Sequence, residues 1–132
     1  MKRFFSRLLA LFCVVTIALM GCSSGNGTVT GDYRQDTLNL VNSLRNAIEL
    51  PEDSPNKAEA QADARQRIND FFSSYRRDSS LLKLTSFTTM RTALNGLAAH
   101  YNSAPNRPIP TKLKQRLNEE FDRVEFALKR GN

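Results

Sequence analysis

From residue 32 onward the chain alternates between long amphipathic stretches and short polar breaks. Leu38, Val41, Leu44 and Ile48 recur at the three- and four-residue spacing of one helix face. Asp32 precedes them and Gln35 follows three residues later, a pair that suits a capping box, so a first helix is expected to open at Asp32 and stop at Pro51. After "PEDSPN", the stripe Ala64, Ile68, Phe71, Phe72 and Tyr75 predicts a second helix from about Pro55 to Arg77. "DSSLLKLTS" breaks the period, and its leucines are expected to fold back over the core. A third helix opens near Ser86, places Phe87, Met90, Leu94, Leu97 and Tyr101 on one stripe, and ends at "NSAPNRPIP". The fourth starts near Pro110, aligns Leu113, Leu117, Phe121, Val124 and Leu128, and closes at Gly131. No alternating run of β-branched residues argues for a strand. The predicted fold is all-α, an up-down-up-down four-helix bundle over residues 32–132.

The first 31 residues follow a different pattern. Lys2, Arg3 and Arg7 precede an uncharged run of 13 residues, Leu8 to Met20. A spanning helix needs about 20 apolar residues, so this run has the proportions of a signal-peptide core. "LMGC" follows, with a small Gly21 just before Cys22, as in a bacterial lipobox. The expectation is a signal peptide over 1–21, removed to leave Cys22 carrying a diacylglyceryl group and an N-acyl chain. Two or more chains anchor stably where one does not. Residues 22–31 then form the lipidated cysteine and a leash, "SSGNGTVTG", and the mature chain has 111 residues. The protein is expected to be exported and tethered to a membrane without crossing it.

Removal of the signal changes the charge balance. The formal net charge of +6 falls to +3, because 16 bases then face 13 acids. That modest excess in an exported chain argues against nucleic acid as a partner. Cys13 leaves with the signal and Cys22 is capped, so no thiol remains for a disulfide or a metal.

Catalytic chemistry has few residues to use. The mature chain holds one histidine, His100, near the end of the third helix, where a partly exposed ring would hydrogen-bond at the helix end. Haem attachment of the C-x-x-C-H type is absent, and Met90 and His100 lie on one helix, which does not give two opposed axial ligands. No Glu-x-x-His pair of the di-metal bundles occurs. Asp63 with Arg67, Glu119 with Arg123 and Glu125 with Lys129 have the favourable i,i+4 orientation of solvated helix faces. The reading is a protein that is not an enzyme, with no metal and no cofactor.

Charge is distributed unevenly. Residues 32–75 carry eight acids and five bases, whereas 76–132 carry five acids and eleven bases. Arg76, Arg77, Lys83 and Arg91 gather around the second helix junction, and Arg107 lies in the next. These, with Asn95, are the candidate partner-binding residues, suited to an acidic protein surface. Thr92, Gly96 and Ala99 add a small-residue stripe, which predicts close packing of a neighbouring helix or a partner's approach.

Four segments carry a family resemblance: "GDYRQDTLNLVNSLRNAIELPEDSPNK", "YRRD", "SFTTMRTALNGLAAHYNSAPNRPIPTKLKQRL" and "EFDRVEFALKRG". Together they resemble the cyanobacterial photosystem II assembly lipoproteins of the thylakoid lumen, the small four-helix factors numbered 27 among photosystem II proteins. The resemblance runs from the lipobox to the C-terminus. It implies a non-enzymatic assembly and repair factor, anchored on the lumenal side of the thylakoid membrane through Cys22 and monomeric when free. It further implies docking on the large lumenal loop of the inner antenna protein in immature complexes lacking the manganese cluster, and exclusion of extrinsic subunits until maturation. Two other readings compete: a permanent extrinsic lumenal subunit of the same photosystem, and a ligand-binding envelope lipoprotein.

Overall fold

A computed structural model describes residues 28–105 and 107–132. Four α-helices occur among them: α1 (Tyr33–Glu49), α2 (Lys57–Tyr75), α3 (Thr85–Ser103) and α4 (Thr111–Lys129). A short 3-10 turn, Leu81–Lys83, bridges α2 and α3. Successive helices pack antiparallel, α1 on α2 and α3 on α4 along the longest seams, with α1–α4 and α2–α3 contacts closing the bundle. One end gathers the start of α1, the end of α2, the start of α3 and the end of α4. We call this the near end, because the chain enters it from the direction of Cys22.

The stops and starts have local causes. Asp32 caps α1 by accepting the Gln35 amide at 3.1 Å, but the reciprocal half of the capping box is missing, since the Gln35 side chain bonds Asn39 instead. Leu50 is extended (ψ 134°), as a residue before proline must be, and α1 ends there. The second helix is shorter than expected, starting after Pro55-Asn56 and releasing Arg76 as its C-cap. Gly131, at φ +74°, ends the chain of helical turns after α4 in a conformation that glycine adopts without a Cβ penalty.

The core follows the predicted stripes with instructive shifts. Val41, Leu44, Ile48, Ile68, Phe71, Phe87, Met90, Leu94, Leu97, Tyr101, Leu117, Phe121 and Val124 are all buried. On α1 the buried face runs through Leu40 rather than Leu38, which sits half-buried at its margin. Phe72 likewise packs at the edge of the core. Of the leucines after α2, Leu81 folds back and is buried, Leu84 packs partly against the core, and Leu82 turns outward. Tyr33, Phe71, Tyr75 and Phe87 form an aromatic cluster at the near end, with ring centroids 5.1–6.5 Å apart.

Surface pairing departs from the simple i,i+4 scheme. Asp63–Arg67 forms as expected at 2.7 Å. Glu125 instead joins Asp122 in gripping Arg45 from α1, so a cross-helix clamp replaces the Glu125–Lys129 pair. The small-residue stripe does not mark a tight helix crossing. Thr92 and Ala99 are exposed, and a Cβ added at Gly96 would stand 3.9 Å from Leu113, an ordinary contact.

Candidate functional site

The most highly connected polar group lies where the buried stripe of α1 runs one turn back toward its start. Leu44 and Leu40 lead to Asp36, which is 3% exposed. Its carboxylate accepts the Thr30 amide at 2.9 Å, the Thr30 hydroxyl at 2.7 Å and the Gly31 amide at 3.1 Å. The Tyr75 hydroxyl, from the end of α2, donates to the same group. Burial opposes charge on Asp36, but the bonds from Tyr75, Thr30 and Gly31 outweigh it and hold the carboxyl below its usual range. Burial, and then the hydrogen bond to Asp36, push the Tyr75 hydroxyl well above its ordinary value, so it stays protonated and able to donate.

These bonds fasten a strap to the bundle. Thr28 donates its hydroxyl to Asp70 at 2.8 Å, and Val29 packs against the core. Gly31 turns the chain at φ +94°, where any other residue would be strained. Thus the last four residues of the expected leash are docked. Only about 10 Å³ of free space remains beneath them, between Thr28, Val29, Asp36, Leu40, Arg67 and Phe71. Cys22, with the expected signal peptide and the rest of the leash, lies outside the described residues.

The six candidate partner-binding residues are all exposed, but they occupy three places. Arg76, Arg77 and Lys83 lie at the near end, around the α2–α3 connection. Arg91 and Asn95, about one turn apart, lie on the exposed surface of α3, and neither lines the shallow cleft of about 240 Å³ between α3 and α4. Arg107 sits at the opposite end, in the α3–α4 connection, where its carbonyl lies 3.3 Å from His100 Nε2. His100 is therefore partly exposed and hydrogen-bonded at a helix end, as its position in the sequence suggested.

The α3–α4 cleft contains a group that the sequence pattern did not flag. Glu120 is 7% exposed, and Arg116 bonds its Oε1 at 3.1 Å. Its Oε2 is buried with no partner among the described residues, and it lines the cleft beside Thr88, Thr89, Thr92 and Arg123. A depression of about 250 Å³ between α1 and α2 is similarly shallow. Both fall below the usual 300–1,000 Å³ of small-molecule sites. Among the described residues no three of His, Cys, Asp and Glu come together as a metal site, and no helix is long and apolar enough to cross a membrane.

Known proteins place this geometry in a family. The family model described as Photosystem II Pbs27 matches residues 5–128. The Photosystem II assembly factor lipoprotein Psb27 of Thermosynechococcus vestitus is 57% identical over 130 residues, covering 98% of this chain and 97% of that protein. The chloroplastic Photosystem II repair protein PSB27-H1 of Arabidopsis thaliana is 37% identical over 101 residues, covering 76% of this chain and 58% of that one. The solution structure of Psb27 from cyanobacterial photosystem II superposes with a TM-score of 0.77 at 53% identity, over 84% of this chain and 96% of that one. The match extends across nearly the whole sequence and the whole bundle: the chain belongs to the photosystem II Pbs27 family, whose assembly role is non-catalytic.

Proposed function

We propose that this chain is an assembly and repair factor of photosystem II that acts by occupying a surface. The near full-length identity to a protein named as a photosystem II assembly factor carries this reading. The molecule agrees with it: the buried carboxylate of Asp36 fastens the strap, and the six candidate binding residues are solvent-exposed, five of them cations. The finer assignment is that the mature chain, acylated on Cys22, sits on the lumenal side of the thylakoid membrane. There it docks on the inner antenna protein of complexes lacking the manganese cluster and keeps extrinsic subunits off until maturation.

For the docking face we favour the exposed side of α3, where Arg91 and Asn95 stand about one turn apart. An exposed cation and amide on one helix face offer a modest polar interface, suited to a complex that must dissociate. Quantitative mass spectrometry of photosystem II fractions tests the proposal. The account expects the chain at near-equal stoichiometry in cluster-free assembly intermediates and its loss from mature complexes. Equal amounts in mature complexes would identify a permanent extrinsic subunit instead.

A further inference from the structure

Two large apolar side chains stand exposed among the described residues, Leu82 at 48% and Phe126 at 56%. They are far apart in sequence, yet the topology carries both to the near end. Leu82 projects from the 3-10 turn after α2, and Phe126 lies in the last turn of α4 with the Arg130 guanidinium 4.3 Å from its ring centroid. The same end carries Arg76, Arg77 and Lys83, all exposed and without an ion-pair partner among the described residues. Asp32, Asp78 and Asp122 are the exposed acids around these residues, with Asp78 engaged by the Ser80 amide and hydroxyl and Asp122 paired with Arg45. Exposed apolar side chains sharing one end with exposed cations, including an aromatic–arginine pair, match the chemistry of a membrane interface.

Chain length selects the same end. Thr28 is fixed to Asp70, within two turns of the end of α2, and Cys22 lies six residue steps before Thr28. The typical reach of those steps is about 13 Å. The far end of α2 lies about 20 Å from Asp70, at 1.5 Å per residue. Only a leash stretched to its full contour, about 20 Å, would let that far end meet a surface holding Cys22.

We propose that the near end seats on an anionic lipid surface, with Leu82 and Phe126 entering the interface and Arg76, Arg77, Lys83 and Arg130 meeting the headgroups. The proposal rests on acylation of Cys22 in the reading above, and it leaves the α3 face free for a protein partner. The strap makes the orientation definite, because it converts a loose tether into one attached at a fixed point of the bundle.

The chain has no tryptophan, so single reporters can be introduced on both ends. Mature acylated protein carrying Ser79→Trp (near end) or Asn102→Trp (far end) is bound to phosphatidylcholine vesicles with and without phosphatidylglycerol, and fluorescence quenching by brominated lipid is read. The expected result is several-fold stronger quenching at position 79 than at 102, increased by phosphatidylglycerol. Adding Leu82→Ser with Phe126→Ser, or Arg76→Glu with Arg77→Glu, should bring position 79 down to the level of 102 while the circular dichroism spectrum is kept. Equal quenching at both positions, or no dependence on phosphatidylglycerol, overturns the proposal. Mass spectrometry of the same sample reports acylation separately. If Cys22 proves unacylated, coupling it to a maleimide lipid supplies the tether, and the same two outcomes decide.

Discussion

The hydroxyl of Tyr75, at the last residue of α2, donates to the buried carboxylate of Asp36, in the first turn of α1. That single contact joins the ends of two antiparallel helices. Through the same carboxylate it also holds the strap that leads toward Cys22. Helix packing and the docked strap are therefore coupled at one side chain.

Removing either partner leaves the other buried and short of a bond. Asp36→Asn and Tyr75→Phe should each destabilise the bundle by about 1–3 kcal/mol, read by urea unfolding. The double variant should lose less than the sum, with a coupling of roughly 0.5–3 kcal/mol. Hydrogen exchange at the Thr30 and Gly31 amides should accelerate in Asp36→Asn far more than exchange in the middle of α3. Unchanged protection at those two amides would mean that the strap is held by Val29 and Thr28 alone.

The Asp36 carboxyl ionises more readily folded than unfolded, so its contribution is present above its ordinary pKa of 3.8 and is lost as pH falls through the lower folded value. The stability difference between the natural chain and Asp36→Asn should stay constant from neutral pH down to about 5 and shrink only below about 4. Denaturant titrations across that range measure it. A difference that collapses near neutral pH would contradict the hydrogen-bond geometry.

Much of this was legible in the sequence, and the gaps have physical causes. Stripes such as Phe87, Met90, Leu94, Leu97 and Tyr101 predicted buried helix faces because packing energy follows the helical period, and all five are buried. Leu38 was expected in place of Leu40, since Leu38 stands three residues before Val41 and Leu40 four before Leu44, and both spacings suit one helix face. Asp36 was missed because a charge is assumed to face water. Its place four residues before Leu40 on the same face was the available signal. Its partner Tyr75 lies 39 residues away, a separation that no local pattern reveals. Arg45 with Asp122 and Glu125 is the same kind of case, pairing across the bundle where a local pair was expected.

Gly96 offers a test that separates packing from partner contact. A methyl there meets Leu113 at an ordinary 3.9 Å, so Gly96→Ala should stabilise α3 by about 0.5–1 kcal/mol. Thermal unfolding reads the gain. If photosystem II binding weakens in the same variant although stability rises, a partner's close approach is what keeps glycine at this position.

The three separate positions of the candidate cations predict unequal effects. Arg91→Glu, on the exposed side of α3, should weaken binding to photosystem II by about tenfold, which corresponds to 1.4 kcal/mol. Arg107→Glu, at the far end, should change it less than twofold. Surface plasmon resonance on immobilised complexes compares them. Equal losses would mean that overall charge, rather than the α3 face, governs docking.

The measurement closest to the central claim is binding of the mature chain to two photosystem II preparations. One has been stripped of the manganese cluster and extrinsic subunits, and the other is intact. The account predicts saturable one-to-one binding to the stripped complex, little binding to the intact one, and release when extrinsic subunits are restored with the cluster. Equal binding to both preparations would contradict the assembly-factor account.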